Sequence, residues 1–369
     1  MKIGVVSRNM LDVGGGIENY LNNILTKLSA NHPILVLAQR YKKMNVAFSF
    51  DVQMPPFRSL AVFMIWVQLK KNKLFEECDL IISGSALTSP FIGKAQKPIM
   101  CFVYGLDLEY PNPFYQSIFV SSLKKMDGLI ACSNATRELC LRKGIQKEKV
   151  YVVYPGVDSE RFKPDKKAGE LRKEMLGISQ EDPVVFSISR HVKKKGILRL
   201  VRDIAPRLLE QVPHVKFVIG GSGPQTNDIK KIVKSLGLEK IVILTGYITD
   251  VDMASYYNMA DVFCLPEEPV VGDFEGFGMV HLEASACGVP SVGSRMEAAT
   301  EAIEDGVRGV ACDPFDIRQH VDAIRRFIVE KEYQNEFSLR CRSVILERWT
   351  INKTTATINE IVERVSGSN

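Results

Sequence analysis

The sequence predicts an α/β fold with two doubly wound domains, each built around a parallel sheet. The chain of 369 residues is too long for one ordinary core, and 46% hydrophobic with 25% charged residues is the balance of a globular protein. Short apolar runs alternate with amphipathic segments, as in repeated βα units. A charged stretch after residue 160, interpreted as a linker, divides the runs into two sets of about six. We therefore expect two Rossmann-like domains that face each other across a cleft.

The first predicted domain spans residues 1–165 and opens with a glycine-rich turn. Its strand-like runs are KIGVVS, PILVLA, DLIIS, IMCFVY, GLIACS and KVYVVY. Gly14, Gly15 and Gly16 follow the first run and precede an amphipathic segment, where backbone N–H groups can approach a phosphate. The dinucleotide fingerprint is not met, because Asn19 stands where its third glycine belongs. The turn is therefore either a phosphate-binding loop or a tight strand-to-helix connection.

Basic residues are concentrated in the first half of the chain. Residues 1–170 hold 23 Lys and Arg against 15 Asp and Glu, whereas the remainder holds 25 against 28. Two stretches in this half, FRSLAVFMIWVQLKKNK and PFYQSIFVSSLKKMDG, combine apolar and basic residues. They indicate either peripheral contact with an anionic membrane or solvated lysines on ordinary helices. We expect no nucleic-acid partner, because aromatic residues do not interleave with the basic ones and no known nucleic-acid module is present.

The sequence also limits location and cofactors. The N-terminus lacks the form of a secretory signal, so we expect a cytoplasmic protein, associated with the inner face of the membrane if the basic half binds lipid. The apolar run at 59–69 is about half of the ~20 residues needed to span a bilayer and is interpreted as a buried helix. Eight cysteines without a C-x-x-C pair predict reduced, buried thiols. Five scattered histidines predict no metal site, and we expect no cofactor beyond the substrates.

The second predicted domain spans residues 166–348, and its turns carry candidate anion ligands. Its strand-like runs are PVVFSIS, VKFVIGG, KIVILTG, DVFCLP, PSVGS and GVAC. Arg190 ends the first run and Lys195 opens the next helix, so two cations share one βα turn. Lys193 and Lys194 are expected to point to solvent. Gly221 marks a second glycine turn, which is either a close approach to a ligand or a plain loop.

Two further segments complete the predicted elements. Asp250 and Asp252 have the D-x-D form of some metal sites, but a helical run follows them, so an N-cap with an acidic first turn explains them better. Residues 349–369 have helical spacing, and we expect this C-terminal helix to cross back to the first domain.

The stretch EGFGMVHLEASACGVP at 275–290 places two carboxylates, Glu275 and Glu283, with seven residues between them. The predicted helix begins near Gly278, so these side chains do not share one helical face. Backbone N–H groups from Phe277 to Val280 form an anion-receptive helix start. A carboxylate accepts two hydroxyl hydrogen bonds at once, as a ribose diol or a sugar ring presents. We therefore favour ligand binding over glycoside hydrolysis, which needs carboxylates that flank one bond.

Taken together, these motifs resemble a retaining glycosyltransferase of family 4 with the two-domain GT-B fold. The matching segments run in family order over nearly the whole chain. They are GGIE, ACSNATRELC, VVYPGVDSERFKP, SRHVKKKG, IGGSGP, TGYI, YYNMADVFCLPEE and EGFGMVHLEASACGVP. The loop with Asp273 and Phe274 before EGFG is similar to that of GDP-mannose-dependent mannosyltransferases acting on lipid-linked inositol phosphates. The resemblance implies a nucleotide-sugar donor and a glycan or lipid-linked acceptor.

The resemblance also implies roles for individual residues. Arg190 and Lys195 correspond to the cations on the donor diphosphate and, with Glu275, are the catalytic candidates. Glu275 corresponds to the carboxylate on the sugar hydroxyls, and Glu283 to the one on the donor ribose. The other donor-binding candidates are Gly15, Gly16, Gly221, Ile248, Phe277, Gly278, Met279 and Val280. Fixed cations and a helix start then stabilise the leaving diphosphate without a metal, and the anomeric configuration is retained.

Two positions depart from the family pattern. Tyr104 stands where His commonly precedes a glycine, and a phenol donates a hydrogen bond but is not a cation near neutral pH. Tyr104 and Asp107 remain candidates for contact with the sugar or the acceptor, and Tyr104 is equally explained as a core aromatic. Glu297 and Ala298 stand where a glycine pair is usual, which leaves the donor sugar open.

Our prediction is a hexosyltransferase that moves a sugar, with mannose as first choice, from a nucleoside diphosphate to an acceptor hydroxyl. The alternative enzyme hypothesis is a nucleotide-sugar epimerase on the same fold. The non-enzyme hypothesis is a nucleotide-sugar-binding protein whose catalysis was lost with the changes at Tyr104 and Glu297.

Overall fold

The computed structural model describes residues 1–7, 16–38, 50–51, 67, 75–92 and 97–367. The chain forms two compact units. The first comprises Met1–Gly156, Phe274–Phe277 and Ile351–Asn369, and the second comprises Val157–Asp273 and Gly278–Thr350. Within the described ranges, no helix is long and apolar enough to cross a membrane.

The described residues of the first unit form a parallel sheet of seven strands in the order β3-β2-β1-β4-β5-β6-β7. The strands are β1 Ile3–Ser7, β2 Ile34–Ala38, β3 Phe50–Asp51, β4 Leu80–Ser83, β5 Ile99–Val103, β6 Gly128–Ala131 and β7 Val150–Val152. From β1 the chain winds outward through β2 in one direction and through β4 in the other. Strands β1, β4, β5 and β6 are buried along their whole length, as expected where helices cover both faces of a parallel sheet.

Helices cover both faces of this sheet. Among the residues that the structure describes, the helical segments of the first unit are Gly16–Leu28, Ser89–Phe91, Leu106–Glu109, Pro113–Tyr115, Gln116–Val120, Ser121–Leu123, Asn134–Arg142, Lys147–Lys149 and Ile351–Gly367. The C-terminal helix buries Ile358 and Val362 in the same core as Leu21 and Ile24 of the first helix. His32 and Asn359 add a side-chain hydrogen bond of 2.7 Å. The chain end is thereby part of the first unit's core.

The second unit is built on a parallel sheet of six strands in the order β10-β9-β8-β11-β12-β13. The strands are β8 Val184–Ile188, β9 Lys216–Gly220, β10 Val242–Gly246, β11 Val262–Leu265, β12 Ser291–Ser294 and β13 Gly309–Cys312. The winding direction reverses between β8 and β11, and the carboxyl ends of such a strand pair are the usual ligand site of an open α/β sheet. The predicted fold class, two doubly wound parallel sheets, is confirmed.

Helices also flank the sheet of the second unit. Its helical segments are Lys166–Met175, Lys193–Lys195, Ile197–Arg199, Leu200–Ile204, Ala205–Leu209, Thr226–Ser235, Met253–Asn258, Met279–Ala286, Ala299–Ile303, Ile317–Val329 and Lys331–Arg348. The charged stretch that we interpreted as a linker contains the first of them. Asp165 caps that helix by accepting a hydrogen bond from the N–H of Ala168. Gly169 packs against the backbone of Asn258, so the helix belongs to the body of the unit.

All eight cysteines are free and buried, as the sequence predicted. Burial raises the pKa of each thiol, so every one of them stays protonated near neutral pH.

Candidate active site

The turn after β8 carries both predicted diphosphate ligands. Arg190 follows the strand and is exposed, and within the described part of the chain its guanidinium forms no ion pair. The Lys195 ammonium lies 2.7 Å from Oε1 of Glu267, and the side chains are 17% and 0% exposed. Glu267 follows β11, so the pair sits at the point where the sheet reverses its winding. A buried carboxylate therefore fixes the position of one of the two cations.

The prediction that Lys193 and Lys194 both point to solvent is wrong for Lys194. Lys193 is exposed, but Lys194 is buried and its Nζ lies 2.9 Å from Oδ1 of Asp273. These lysines form a 3-10 turn, in which successive side chains point about 120° apart because there are three residues per turn. Consecutive lysines therefore cannot share one environment.

Gly196 brings this turn against the end of β11. Its φ is +66°, and a Cβ at this position would lie 1.8 Å from the carbonyl oxygen of Pro266. Any side chain at Gly196 would push this turn away from Pro266. Because Glu267 follows Pro266 directly, this close approach places Lys195 within reach of its carboxylate partner.

The glycine turn after β9 packs against the backbone just before Arg190. Gly221 has a φ of +99°, and a Cβ there would lie 2.0 Å from the carbonyl oxygen of Ser189. The backbone that the structure brings close to Gly221 is thus the end of β8. Ile248 is buried beside Gly220, with its Cδ1 2.5 Å from the Cβ that an alanine would have there. Donor contacts of Gly221 and Ile248 stay predictions.

The helix Met279–Ala286 begins at Gly278, where the sequence predicted it. Gly278 is the N-cap with a φ of +96°, a conformation that glycine adopts without strain. Met279 and Val280 form the first turn, and Glu283 lies one turn further along. Glycine at the N-cap leaves the helix start free of a capping side chain, which suits an anionic ligand.

Glu283 is held by a tyrosine that the sequence analysis missed. Oε2 of Glu283 accepts a hydrogen bond of 2.8 Å from the hydroxyl of Tyr257. Burial raises the pKa of Glu283 to about 7, although this hydrogen bond and the nearby Arg161 guanidinium favour the ionised form. No sequence signal links the two residues, because Tyr257 belongs to the helix Met253–Asn258, 26 positions away.

In the first unit, Tyr104 and Asp107 lie at the carboxyl end of β5. The Tyr104 hydroxyl is buried, and no described residue lies within hydrogen-bonding distance of it. The ring is stacked on Phe102 with centroids 6.3 Å apart, so Tyr104 is at least a core aromatic. Oδ1 of Asp107 accepts a hydrogen bond of 2.9 Å from the backbone N–H of Tyr104, and burial raises the pKa of Asp107 to about 6. Asp107 thus fixes the turn that presents Tyr104.

The segment Phe274–Phe277, which contains Glu275, packs in the first unit against these same strand ends. The Phe274 ring covers Gly105, where a Cβ would lie 2.1 Å from the ring. A Cβ at Gly276 would lie 2.2 Å from the carbonyl oxygen of Tyr104, so only glycine fits. Cys132, after β6, donates a thiol hydrogen bond of 3.1 Å to the carbonyl oxygen of Gly276. These contacts hold the backbone on both sides of Glu275.

Cys132 is a second residue that the sequence analysis missed. Burial raises the pKa of its thiol to about 12, which keeps it protonated and able to donate to Gly276. Phe277 is also buried, with its ring 5.9 Å from that of Tyr154. The sequence alone could not predict that Cys132 donates this hydrogen bond, because a cysteine is usually interpreted as a small buried residue.

Other predictions are settled only in part. Gly15 lies outside the described residues, and Gly16 is the first residue of the helix Gly16–Leu28. The stretch 57–73 also lies outside them, apart from Val67. Asp252 is the residue before the helix Met253–Asn258, as predicted, but its carboxylate binds Arg172 and Thr249, both at 2.6 Å, instead of capping the helix. Glu297, in place of a glycine, has a φ of +26°.

Two doubly wound parallel sheets in one chain are the architecture of the GT-B class of glycosyltransferases. Residues 14–161 match the model for Glycosyltransferase Family 4, and residues 169–343 match that for Glycosyl transferases group 1. The chain belongs to glycosyltransferase family 4 and is a hexosyltransferase.

Three relatives of the chain are named for two different substrates. A GDP-mannose-dependent alpha-(1-6)-phosphatidylinositol monomannoside mannosyltransferase of Mycobacterium tuberculosis H37Rv is 30% identical over 355 residues, 91% of each chain. The protein of the same name from Mycolicibacterium smegmatis is 33% identical over 210 residues, which cover 56% of this chain and 54% of that one. The N-acetyl-alpha-D-glucosaminyl L-malate synthase of Bacillus anthracis is 29% identical over 274 residues, 72% of this chain and 68% of that one.

Solved structures establish the same fold. Sucrose-phosphate synthase from Thermosynechococcus elongatus superimposes with a TM-score of 0.84 at 18% identity, over all of both chains. HepE of Anabaena, in complex with UDP and glucose, superimposes with a TM-score of 0.80 at 20% identity, over 98% of this chain and 99% of that one.

Proposed function

We propose that this glycosyltransferase moves mannose from GDP-mannose to a hydroxyl of a lipid-linked or glycan acceptor, with retention of the anomeric configuration. Use of a nucleotide-sugar donor is common to its family. The choice of mannose is supported by the Mycobacterium tuberculosis relative, which is named as GDP-mannose-dependent and aligns over 91% of both chains. The acceptor class is supported by the same name, which specifies a phosphatidylinositol monomannoside.

The observation that carries the proposal is the pairing of Lys195 with buried Glu267 beside exposed Arg190. The carboxylate compensates the charge of Lys195 and fixes its ammonium, while Arg190 supplies a net positive charge at the same strand end. A nucleoside diphosphate gains negative charge as it leaves, and cations that are already in place stabilise it without rearrangement. In this proposal the reaction needs no metal ion.

Glu283 is proposed to bind the donor ribose. The Tyr257 hydroxyl occupies Oε2, and among the described residues Oε1 has no hydrogen-bond donor, so it can accept a ribose hydroxyl. The raised pKa means that Glu283 is only partly ionised at neutral pH in the absence of ligand. Two hydroxyl donors stabilise the carboxylate form, so donor binding should favour release of the proton.

Glu275 and the Tyr104 turn are proposed to contact the transferred sugar. The bond between the anomeric carbon and the diphosphate oxygen breaks, and the acceptor oxygen forms its new bond on the same face. The acceptor hydroxyl passes its proton to the departing diphosphate oxygen, so neither Glu275 nor Glu283 has to form a covalent intermediate. The protein contributes by positioning the reactants and by stabilising the developing charge.

The first test is ligand-induced thermal stabilisation with GDP, UDP, ADP and their common sugar conjugates, with and without magnesium. A ligand that binds only the folded state raises the melting temperature. We expect the largest shift with GDP and GDP-mannose, independent of magnesium. A larger shift with UDP conjugates would refute the donor assignment, and a shift that requires magnesium would refute the metal-free mechanism.

The second test compares Lys195→Ala with Lys193→Ala, a matched control that removes an exposed neighbouring lysine. Loss of a charge-assisted contact to phosphate should weaken donor binding and transfer by about tenfold or more in Lys195→Ala only. Transfer is measured with labelled GDP-mannose and a membrane extract as acceptor source. Equal losses in both variants would contradict the diphosphate role, and an isomerised sugar nucleotide formed without acceptor would favour an epimerase.

A further inference from the structure

A loop at residues 266–273 connects strand β11 to the segment that contains Glu275. All of its residues belong to the second unit, and the chain enters the first unit at Phe274. The tip of the loop is exposed, with the Val271 side chain fully in solvent. Gly272 has a φ of +77°, a conformation that glycine adopts without strain. We call these residues the 266–273 loop.

Two adjacent lysines contact both ends of the 266–273 loop. At its start, Glu267 pairs with Lys195 at 2.7 Å. At its end, Nζ of Lys194 lies 2.9 Å from Oδ1 of Asp273. The backbone N–H of Glu268 also donates a hydrogen bond of 2.8 Å to the carbonyl oxygen of Lys194. One 3-10 turn therefore holds the loop at three points.

The ion pair of Lys194 with Asp273 resists separation because its cation is buried. The Lys194 side chain is 6% exposed and that of Asp273 is 35% exposed. Opposite charges attract more strongly where water is largely excluded, and a buried ammonium without a counter-charge is costly. If Asp273 moved away, Lys194 would remain buried without this carboxylate. The end of the loop is thus held more firmly than by an ion pair on the surface.

We propose that Lys194 is a positioning residue for sugar transfer. Its ion pair fixes Asp273, and Glu275 follows Asp273 by two residues, which span at most about 7 Å even when extended. The carboxylate proposed to contact the transferred sugar is thereby kept within a short reach of the turn that carries Lys195. Small displacements of such a group change the rate of the chemical step.

This inference rests on the proposed function, which gives Glu275 its role at the sugar. Lys194 acts through Asp273 and does not have to contact the donor. Lys194 and Lys195 thus have different tasks although they are neighbours: one holds the loop, and the other is proposed to bind the diphosphate. The difference between these tasks can be measured, because positioning changes kcat and diphosphate binding changes donor affinity as well.

The first test is Lys194→Met, which keeps an unbranched side chain but removes the charge. The remaining Asp273 carboxylate is partly exposed and can be hydrated, so the fold should persist. We expect kcat to fall about tenfold, with the donor KM and the affinity for GDP unchanged within about twofold. Lys194→Arg should restore most of kcat, because a guanidinium also pairs with a carboxylate. Lys193→Met makes the same change at an exposed neighbour and should alter neither constant.

A double-variant comparison tests whether Lys194 acts through Asp273. Two residues that work through one ion pair give losses that do not add. The combination of Lys194→Met with Asp273→Asn should therefore lower kcat no further than Lys194→Met alone. Separate losses that multiply in the combination would overturn the proposal, and so would a raised KM at unchanged kcat in Lys194→Met. Asp273→Asn alone leaves the buried ammonium without this partner, so the comparison depends on Lys194→Met and the combination, which do not.

Hydrogen exchange tests the contact without any substrate. In Lys194→Met the amide N–H groups of Glu268 and Asp273 should exchange about tenfold faster or more, because the loop opens more often, while those of β11 stay unchanged. Unchanged exchange in the loop would overturn the proposal, as would faster exchange with unchanged kcat. If the parent neither responds to GDP nor transfers sugar, the enzymatic proposal fails, and the exchange rates still decide whether Lys194 holds the loop.

Discussion

The raised pKa of Glu283 predicts that this residue destabilises the folded protein at neutral and higher pH. Glu283→Gln is the informative change, because glutamine is neutral at all pH values, has nearly the same shape and can still accept the Tyr257 hydrogen bond with its carbonyl oxygen. The variant therefore resembles the protonated form of the parent, and the two proteins differ chiefly once the carboxyl ionises.

The magnitude follows from the pKa. Burial raises the pKa of Glu283 from its ordinary value of 4.5 to about 7 in the folded chain. Below pH 4.5 the carboxyl is protonated in both states. Between the two values the unfolded chain releases the proton while the folded chain keeps it, so the free energy of unfolding falls as the pH rises. At about 1.4 kcal/mol per pKa unit the total loss is about 3 kcal/mol, complete above about pH 8.

The assay is urea unfolding of the parent and Glu283→Gln from about pH 4.5 to about pH 8.5, with the difference between them taken at each pH so that other titrating groups cancel. We expect the difference to grow in favour of the variant by about 3 kcal/mol across this range. Glu181→Gln, at an exposed position of the same unit, is the control and should differ by less than about 0.5 kcal/mol. A parent-to-variant difference that does not change with pH would refute the reasoning.

Substitutions at one glycine and one cysteine, each with a control, test the contacts around the site. Gly196→Ala should lower the free energy of unfolding by more than about 2 kcal/mol, because the new Cβ would meet Pro266. Gly237 has a φ of +65° and open space around it, so Gly237→Ala should lower it by only about 1 kcal/mol. Both values are measured by urea unfolding. If the two substitutions lower the free energy of unfolding equally, the close approach at Gly196 does not contribute to stability. Cys132→Ala should lower kcat about three- to tenfold with little change in KM, because the Gly276 carbonyl loses its donor, and Cys132→Ser should recover part of it. Unchanged kcat in Cys132→Ala would show that the thiol does not position this segment.

The fold could be predicted from the sequence because continuous runs of apolar residues mark the buried strands. The apolar runs of β1, β4, β5 and β8 are buried along their whole length, and such strands read as continuous hydrophobic segments. The charged stretch near residue 165 was harder to interpret. Its residues carry helical propensity, but what makes it part of the second unit is the packing of Gly169 on Asn258, a contact between positions far apart in sequence.

The sequence named candidate ligands of the site but not the residues that contact them in the structure. Arg190, Lys195 and Glu283 occur in recognisable segments, whereas Glu267, Tyr257 and Cys132 act through tertiary contacts that no local pattern encodes. Lys194 is another residue whose contact could not be predicted from the local sequence. Three identical residues in a row look alike in sequence, and only the turn and the location of Asp273 decide which of them is buried.

The buried cysteines make the protein suitable for spectroscopic labelling without prior removal of native thiols. Maleimides react with the thiolate, and all eight native thiols are both shielded and shifted to higher pKa. A cysteine introduced at exposed Phe114 and another at exposed Phe315 would therefore take up dyes far faster than the native set. Energy transfer between two such dyes, one in each compact unit, would report the distance between the units in single molecules as GDP-mannose is added.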